Sequence, residues 1–232
     1  MQFASNQACM EPWLDFLTDS AVKPWLEFAS SAFIGQMRCD VSANRQSMEA
    51  VFKTYWPELY REYERTMQAL INQNPLLQPI RTPFWPFAGV TINCGRRSVC
   101  DPHRDFLNLL YGICAAIVCG NFNYRVGGQL VLHEMKQIVE VRPGQMALFP
   151  SACITHENIP IGPDETRQSM SLYSAGGLFR YVAYGCRTWD VFGQQDLAGR
   201  KVFQEETLNR WDDRQSRLHT ISGIQNKYME IM

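Results

Sequence analysis

Between Ala88 and Gly185 the chain breaks into short strand-like runs: "AGVTIN", "LLYGICAAIVCG", "GGQLVLHEM", "KQIVEV", "QMALFP", "ITHENIPI", "RQSMSLYSA" and "FRYVAYG". Gly, Pro, Asn or Asp separates them. Strands this short cannot bury an apolar face singly, so they must close into a barrel or sandwich, and a jelly roll belongs to that set. On either side the period of apolar residues is helical. Val51, Tyr55, Leu59, Tyr63, Met67 and Leu70 form a stripe over 47–71, which Pro57 should kink or split. Further upstream, "EPWLDFLTDS" and "KPWLEFASSAF" are near-copies whose Pro12 and Pro24 suit the first turn of a helix. The proline-rich "NPLLQPIRTPFWPF" reads as an extended connection. After Arg187 a helix is predicted over roughly 195–218, burying Phe203, Leu208, Trp211 and Leu218. The layout is α+β in one domain: a helical part over 1–80, a β core over 88–187, and a C-terminal helix and tail over 190–232.

Charge and cysteine usage exclude several classes. Net charge is −1 over 232 residues, so nothing pulls the whole chain towards nucleic acid or anionic membrane, and a polyanion site would have to be local. The N-terminus lacks a basic region followed by an apolar run, so no secretory signal is expected. No apolar run reaches the ~18 residues a membrane span needs. The eight cysteines form no C-x-x-C pair. Several lie inside apolar runs, as buried thiols do in a reducing compartment. A nuclear or cytoplasmic location is expected, with no obligate protein partner.

The chain has four histidines. His103 and Asp105 stand two apart in "CDPHRDFLNLL". In extended backbone that spacing places both side chains on one face, where an imidazole nitrogen and a carboxylate oxygen can reach one metal ion. His133, His156 and His219 are candidates for a third ligand. His219 falls in the C-terminal helical region, and His133 follows the strand "GGQLVL" as a surface histidine would. His156 lies within an apolar run of the β core. Two histidines and a carboxylate leave three positions open, the arrangement that suits non-haem Fe(II) oxygenases. Arg167 follows His156 past the turn "IGPDE". An inward arginine in an apolar barrel needs an anion, and its fork matches a carboxylate. Ser169, Ser171, Tyr173 and Ala175 share its face by parity, leaving room for a ligand; Gln168, Met170, Leu172 and Ser174 take the packing face.

The ordered set His103-Arg104-Asp105, His156 and Arg167-Gln168-Ser169 resembles the signature of the Fe(II)/2-oxoglutarate-dependent dioxygenases. "VGGQLVL", "PGQMALFPSACITHENIPI" and "ETRQSMSLYSAGGLFRYV" are similar to the Tet/JBP-like, nucleic-acid-modifying branch of fungal type. The resemblance covers about Ala88 to Gly185. It implies a double-stranded β-helix, a jelly-roll or cupin-like core, that uses Fe(II), 2-oxoglutarate and O2 to oxidise a C–H bond. It implies iron at His103, Asp105 and His156, and 2-oxoglutarate at Arg167 with Ser169 and Asn93. It implies a methylated nucleobase, 5-methylcytosine or a relative, against Tyr173 and Asn108, with DNA or RNA as the partner. Ala175 departs from the branch, whose members carry a base-contacting histidine there, which leaves a small molecule or protein side chain as the alternative substrate. Arg81, Arg96, Arg97 and Arg104 stand against a lone Asp101 between positions 81 and 104, among Trp85, Phe87 and Phe106. Arg96, Arg97 and Phe106 are expected to meet the nucleic acid. Arg104 points away from the ligands, towards a phosphate.

Overall fold

The computed structural model describes residues 41–75, 77 and 85–215, with side chains over 46–206. The two Pro-Trp-Leu segments, Arg81, Leu218 and His219 lie outside the described residues, as do the side chains of Leu208 and Trp211. Helices α1 (Val41–Tyr55) and α2 (Pro57–Gln73) come first, then strands β1 (Gly89–Asn93), β2 (Cys114–Asn121), β3 (Leu130–Leu132), β4 (Gln137–Val139), β5 (Met146–Phe149), β6 (His156–Asn158) and β7 (Thr166–Tyr173). Helices α3 (Gly176–Ala183), α4 (Trp189–Gln195) and α5 (Leu197–Gln215) come last.

The strands make two antiparallel sheets, one in the order β1-β7-β2-β5 and the other β4-β3-β6. A backbone bridge between His103 and His156 adds the 103 segment beside β6. The chain crosses between the sheets repeatedly: β1, the 103 segment, β2, the β3–β4 hairpin, β5, β6, β7. That path is the double-stranded β-helix, a jelly roll built from short strands.

Side-chain alternation divides the larger sheet. Ala115, Ile117 and Cys119 of β2, Met170 and Leu172 of β7, and Val90 and Ile92 of β1 face the helices. Cys114, Ala116, Val118, Ala147, Phe149 and Tyr173 face the second sheet across the barrel interior. Arg167, Ser169, Ser171 and Tyr173 share this inner face by strand period, as the sequence pattern predicts.

The helices cover the outer face through an aromatic cluster. Phe52 of α1 meets Tyr60 and Tyr63 of α2 edge-on at 5.5 and 5.3 Å and stacks on Phe87 at 5.5 Å. The Tyr63 hydroxyl donates to the Ile113 carbonyl at 3.1 Å and accepts from the Ile113 amide at 3.2 Å. One fully buried phenol thus ties α2 to the entry of β2. Gly112 makes room for it, since a Cβ there would stand 2.3 Å from the Tyr63 oxygen.

One expectation needs correction. "FRYVAYG" falls largely within α3, not in a strand. Its β-branched and aromatic residues suit a strand, but Phe179 meets Tyr63 at 5.0 Å, and burial in the aromatic cluster overrides propensity. The helix predicted over roughly 195–218 is α5, and a short helix the sequence did not suggest, α4, precedes it, the two meeting at Asp196. The Asp196 carboxylate accepts from the Gly199 amide at 2.7 Å and caps the start of α5. Phe203 packs edge-on against Tyr184 at 4.8 Å. The predicted break at Pro57 is present, with Pro57 in the first turn of α2. Among the described residues no helix is long and apolar enough to cross a membrane.

Candidate metal centre

Backbone pairing brings His103 and His156 together. The His103 amide donates to the His156 carbonyl at 3.0 Å, and the His156 amide to the His103 carbonyl at 2.9 Å. Directly paired residues in an antiparallel ladder point to the same side, and the two rings lie 4.3 Å apart between centroids. Asp105 joins them, its Oδ1 3.7 Å from His103 Nε2. One ligand atom from each of His103, Asp105 and His156 lies within 4.8 Å of the other two. His103 is exposed and Asp105 partly so, whereas His156 is buried.

The imidazoles share one arrangement. His103 Nδ1 lies 2.7 Å from the Asp101 carbonyl oxygen, and His156 Nδ1 lies 2.9 Å from that of Ile154. A carbonyl only accepts, so each Nδ1 carries a proton and Nε2 is the nitrogen left for a metal. Burial holds the His156 pKa below the ordinary histidine value, and the neighbouring His103 lowers it further. The neutral form that a metal requires is therefore favoured there.

The carboxylate is fixed as well. The Asp105 amide donates to the Ser151 carbonyl at 3.1 Å. Asn108 Nδ2 donates to Asp105 Oδ2 and to Ser151 Oγ, both at 3.1 Å. Oδ2 is thereby occupied, and Oδ1 is the oxygen turned towards the histidines. One side-chain N–H of Asn108, expected from the resemblance to contact a base, is directed at Asp105 and the other at Ser151. Ser151, which is buried, also hydrogen-bonds the Cys114 thiol, whose pKa burial pushes up to about 12.

Arg167 lies at the start of β7, 5% exposed. One Nη donates to the Ser98 carbonyl at 3.2 Å, while the buried Nε has no partner. Among the described residues no carboxylate pairs with it, and burial lowers its pKa. A buried cation with an orphaned donor is costly unless an anion meets it. Two residues further along, Ser169 accepts from Asn93 Nδ2 at 3.0 Å. The three residues expected to hold the co-substrate are therefore neighbours on β1 and β7. Asn158, overlooked in the sequence, supports this corner: its Oδ1 accepts from the Cys100 amide at 2.9 Å and its Nδ2 donates to the Ser98 carbonyl at 3.3 Å.

The remaining candidates are spread out. Tyr173 lies at the far end of β7, its ring against Gly89, where a Cβ would come within 3.0 Å of it. Phe106, beside Asp105, is 80% exposed, and Leu107 and Leu110 are exposed next to it. Arg96 and Arg97 are exposed, but their backbone pairs with that of Arg167. That leaves them on the Arg167 side of the barrel, some ~20 Å along β7 from Tyr173 at ~3.3 Å per residue. Arg104 does face away from the ligands, but it bonds Glu134 and Thr155 and is not free for a phosphate.

No protein-family model and no curated protein matches the chain. Solved structures do. NgTET1 in complex with 5mC DNA is 19% identical over 49% of this chain and 42% of its own, with a TM-score of 0.39. An oxidoreductase of the 2OG-Fe(II) oxygenase family from Burkholderia pseudomallei is 20% identical over 47% of this chain and 55% of its own, with a TM-score of 0.29. A Pseudomonas putida prolyl-4-hydroxylase is 20% identical over 47% of this chain and 64% of its own, with a TM-score of 0.28. The chain thus spans 42% to 64% of the length of these three structures.

Proposed function

We propose that this chain is an Fe(II)/2-oxoglutarate-dependent dioxygenase with its catalytic core over 88–187. The observation that carries this reading is the convergence of His103, Asp105 and His156, with both imidazoles presenting Nε2. The donor set fits iron: two neutral nitrogens and one carboxylate oxygen leave open positions for a chelating co-substrate and dioxygen. When bound, the iron and 2-oxoglutarate supply the oxidising chemistry at the C–H bond. The protein's residues bind and orient. His103, His156 and Asp105 hold the ion, Asn108 and Ser151 fix the carboxylate, and Arg167 receives the distal carboxylate of 2-oxoglutarate beside Ser169 and Asn93. The orphaned Nε of Arg167 supports that last role.

The substrate we assign is a methylated nucleobase in DNA, 5-methylcytosine or a relative. The Tyr173 ring on the inner face of β7 and the exposed Phe106 ring beside Asp105 support it, because a base taken out of its stack needs aromatic partners. A second reading, oxidation of a small molecule or protein side chain, is favoured by the exposed Leu107 and Leu110 near the ligands and by the placement of Arg96 and Arg97.

Incubation with Fe(II), 2-oxoglutarate and methylated DNA or RNA oligonucleotides, then mass spectrometry of the nucleosides, separates the two. An oxidised base in DNA, lost in His103→Ala, is the expected result. Succinate without any base product would move the substrate to the second reading. Equal succinate from His103→Ala and wild type would end the dioxygenase reading.

A further inference from the structure

Beneath the three ligands, on the outer side of the smaller sheet, lies a network that no metal or co-substrate role explains. In the antiparallel pairing His103 stands opposite His156, so Arg104 stands opposite Thr155, one step along. Side chains alternate, and these two residues point away from the site just where their neighbours point into it. Arg104 Nε donates to Thr155 Oγ1 at 2.9 Å. Glu134, in the β3–β4 turn, binds both: its Oε1 accepts from Arg104 Nη2 and, at 2.7 Å, from Thr155 Oγ1, while its Oε2 accepts from the Thr155 amide at 2.7 Å. The His133 amide donates to the Thr155 carbonyl at 3.0 Å, so the turn itself is laced to the same residue.

We infer that Glu134 is a positioning residue for the metal centre: by clasping Arg104 and Thr155 it fixes the separation of the His103–Asp105 pair from His156. This rests on reading the three residues as metal ligands. Arg104 is flanked by two ligands and Thr155 adjoins the third, so the clasp spans the seam across which the ion would be held. Its value is geometric rather than energetic. Arg104 and Glu134 are each 41% exposed, and exposed pairs add little stability. Four mutually consistent hydrogen bonds nonetheless leave the backbone at 104 and 155 little freedom to slide. Partners that orient ligands typically govern metal affinity by ~10–100-fold.

Co(II) titration of the metal-free full chain tests this, read by its d–d absorption and by calorimetry. Wild type, Glu134→Gln, Thr155→Val and the Arg104→Gln/Glu134→Gln double variant are compared. Met135→Ala serves as the control in the same turn, and His103→Ala as the control for the site. Glu134→Gln is expected to weaken Co(II) binding by ~10–100-fold and alter the absorption band, with little change in Tm. Thr155→Val should act in the same direction, and Met135→Ala should bind as wild type. Adding Arg104→Gln should cost little beyond Glu134→Gln alone, because the two act as one unit. Wild-type affinity and spectrum in both Glu134→Gln and Thr155→Val, with binding lost in His103→Ala, would overturn the inference and leave the metal reading intact. Wild type binding Co(II) no better than His103→Ala would overturn the metal reading and the clasp with it.

Discussion

At the scale of single residues, the proposed chemistry depends on pairs that fail separately. Arg167 carries a buried, half-satisfied guanidinium. Arg167→Gln is expected to raise the 2-oxoglutarate concentration needed for half-maximal turnover by ~10–100-fold, the loss of a charged hydrogen bond worth ~1.5–3 kcal/mol, while Co(II) affinity stays. Asn108→Ala should do the reverse, weakening Co(II) binding by ~10–100-fold through Asp105 and leaving 2-oxoglutarate binding to the loaded site unchanged. If Asn108→Ala holds Co(II) as wild type but loses a DNA product, Asn108 is a substrate contact after all. The convergence of the proposed ligands was legible in part: two-residue spacing put His103 and Asp105 on one face, whereas His156 was picked out by its place in the apolar β core and by the resemblance. The role of Asn108 had a signal too, since it stands three positions after Asp105, the reach of a turn. Glu134 and Ser151 carried none. Their partners are 30 and 43 positions away, and only the folded sheets make them neighbours.

At the scale of elements, the strands and the break at Pro57 came from period and proline chemistry. What escaped was α3, because its residues favour a strand locally and become helical only by packing on Tyr63. That tyrosine and Gly112 form the joint between the helical layer and β2. Gly112→Ala would press a methyl group against the Tyr63 oxygen and Leu109. It is expected to destabilise the chain by ~1–3 kcal/mol, the usual cost of overpacking, seen as a lower denaturant midpoint with unchanged slope. Tyr63→Phe/Gly112→Ala should recover part of the loss by removing that oxygen, though it leaves the Ile113 amide and carbonyl without their partner. A double variant no more stable than Gly112→Ala would place the strain elsewhere.

At the scale of the molecule, buried acids set the alkaline limit. Burial raises the Cys114 thiol from 9.0 to about 12 and pushes the Tyr63 phenol above its ordinary 10.0. Above pH 9 an unfolded chain releases the Cys114 proton that the fold retains, so stability present below pH 9 declines as pH rises towards 12. Tm should fall from about pH 8 to about pH 10.5, and less steeply in Cys114→Ala. Equal slopes in the two proteins would remove Cys114 from the account.

The direct pairing of His103 with His156 has a consequence for how the chain folds. Fifty-three positions separate them in sequence, and β2, β3, β4 and β5 lie in the loop they close. Closing a flexible loop of that length costs about 3.5 kcal/mol more than a one-residue reference on the logarithmic scaling. No shorter fragment of the barrel contains both imidazoles in register. Metal uptake during refolding should therefore come after closure of the β-helix rather than nucleate it. An ion once held there would act like a cross-link, slowing the barrel's reopening without a covalent bond.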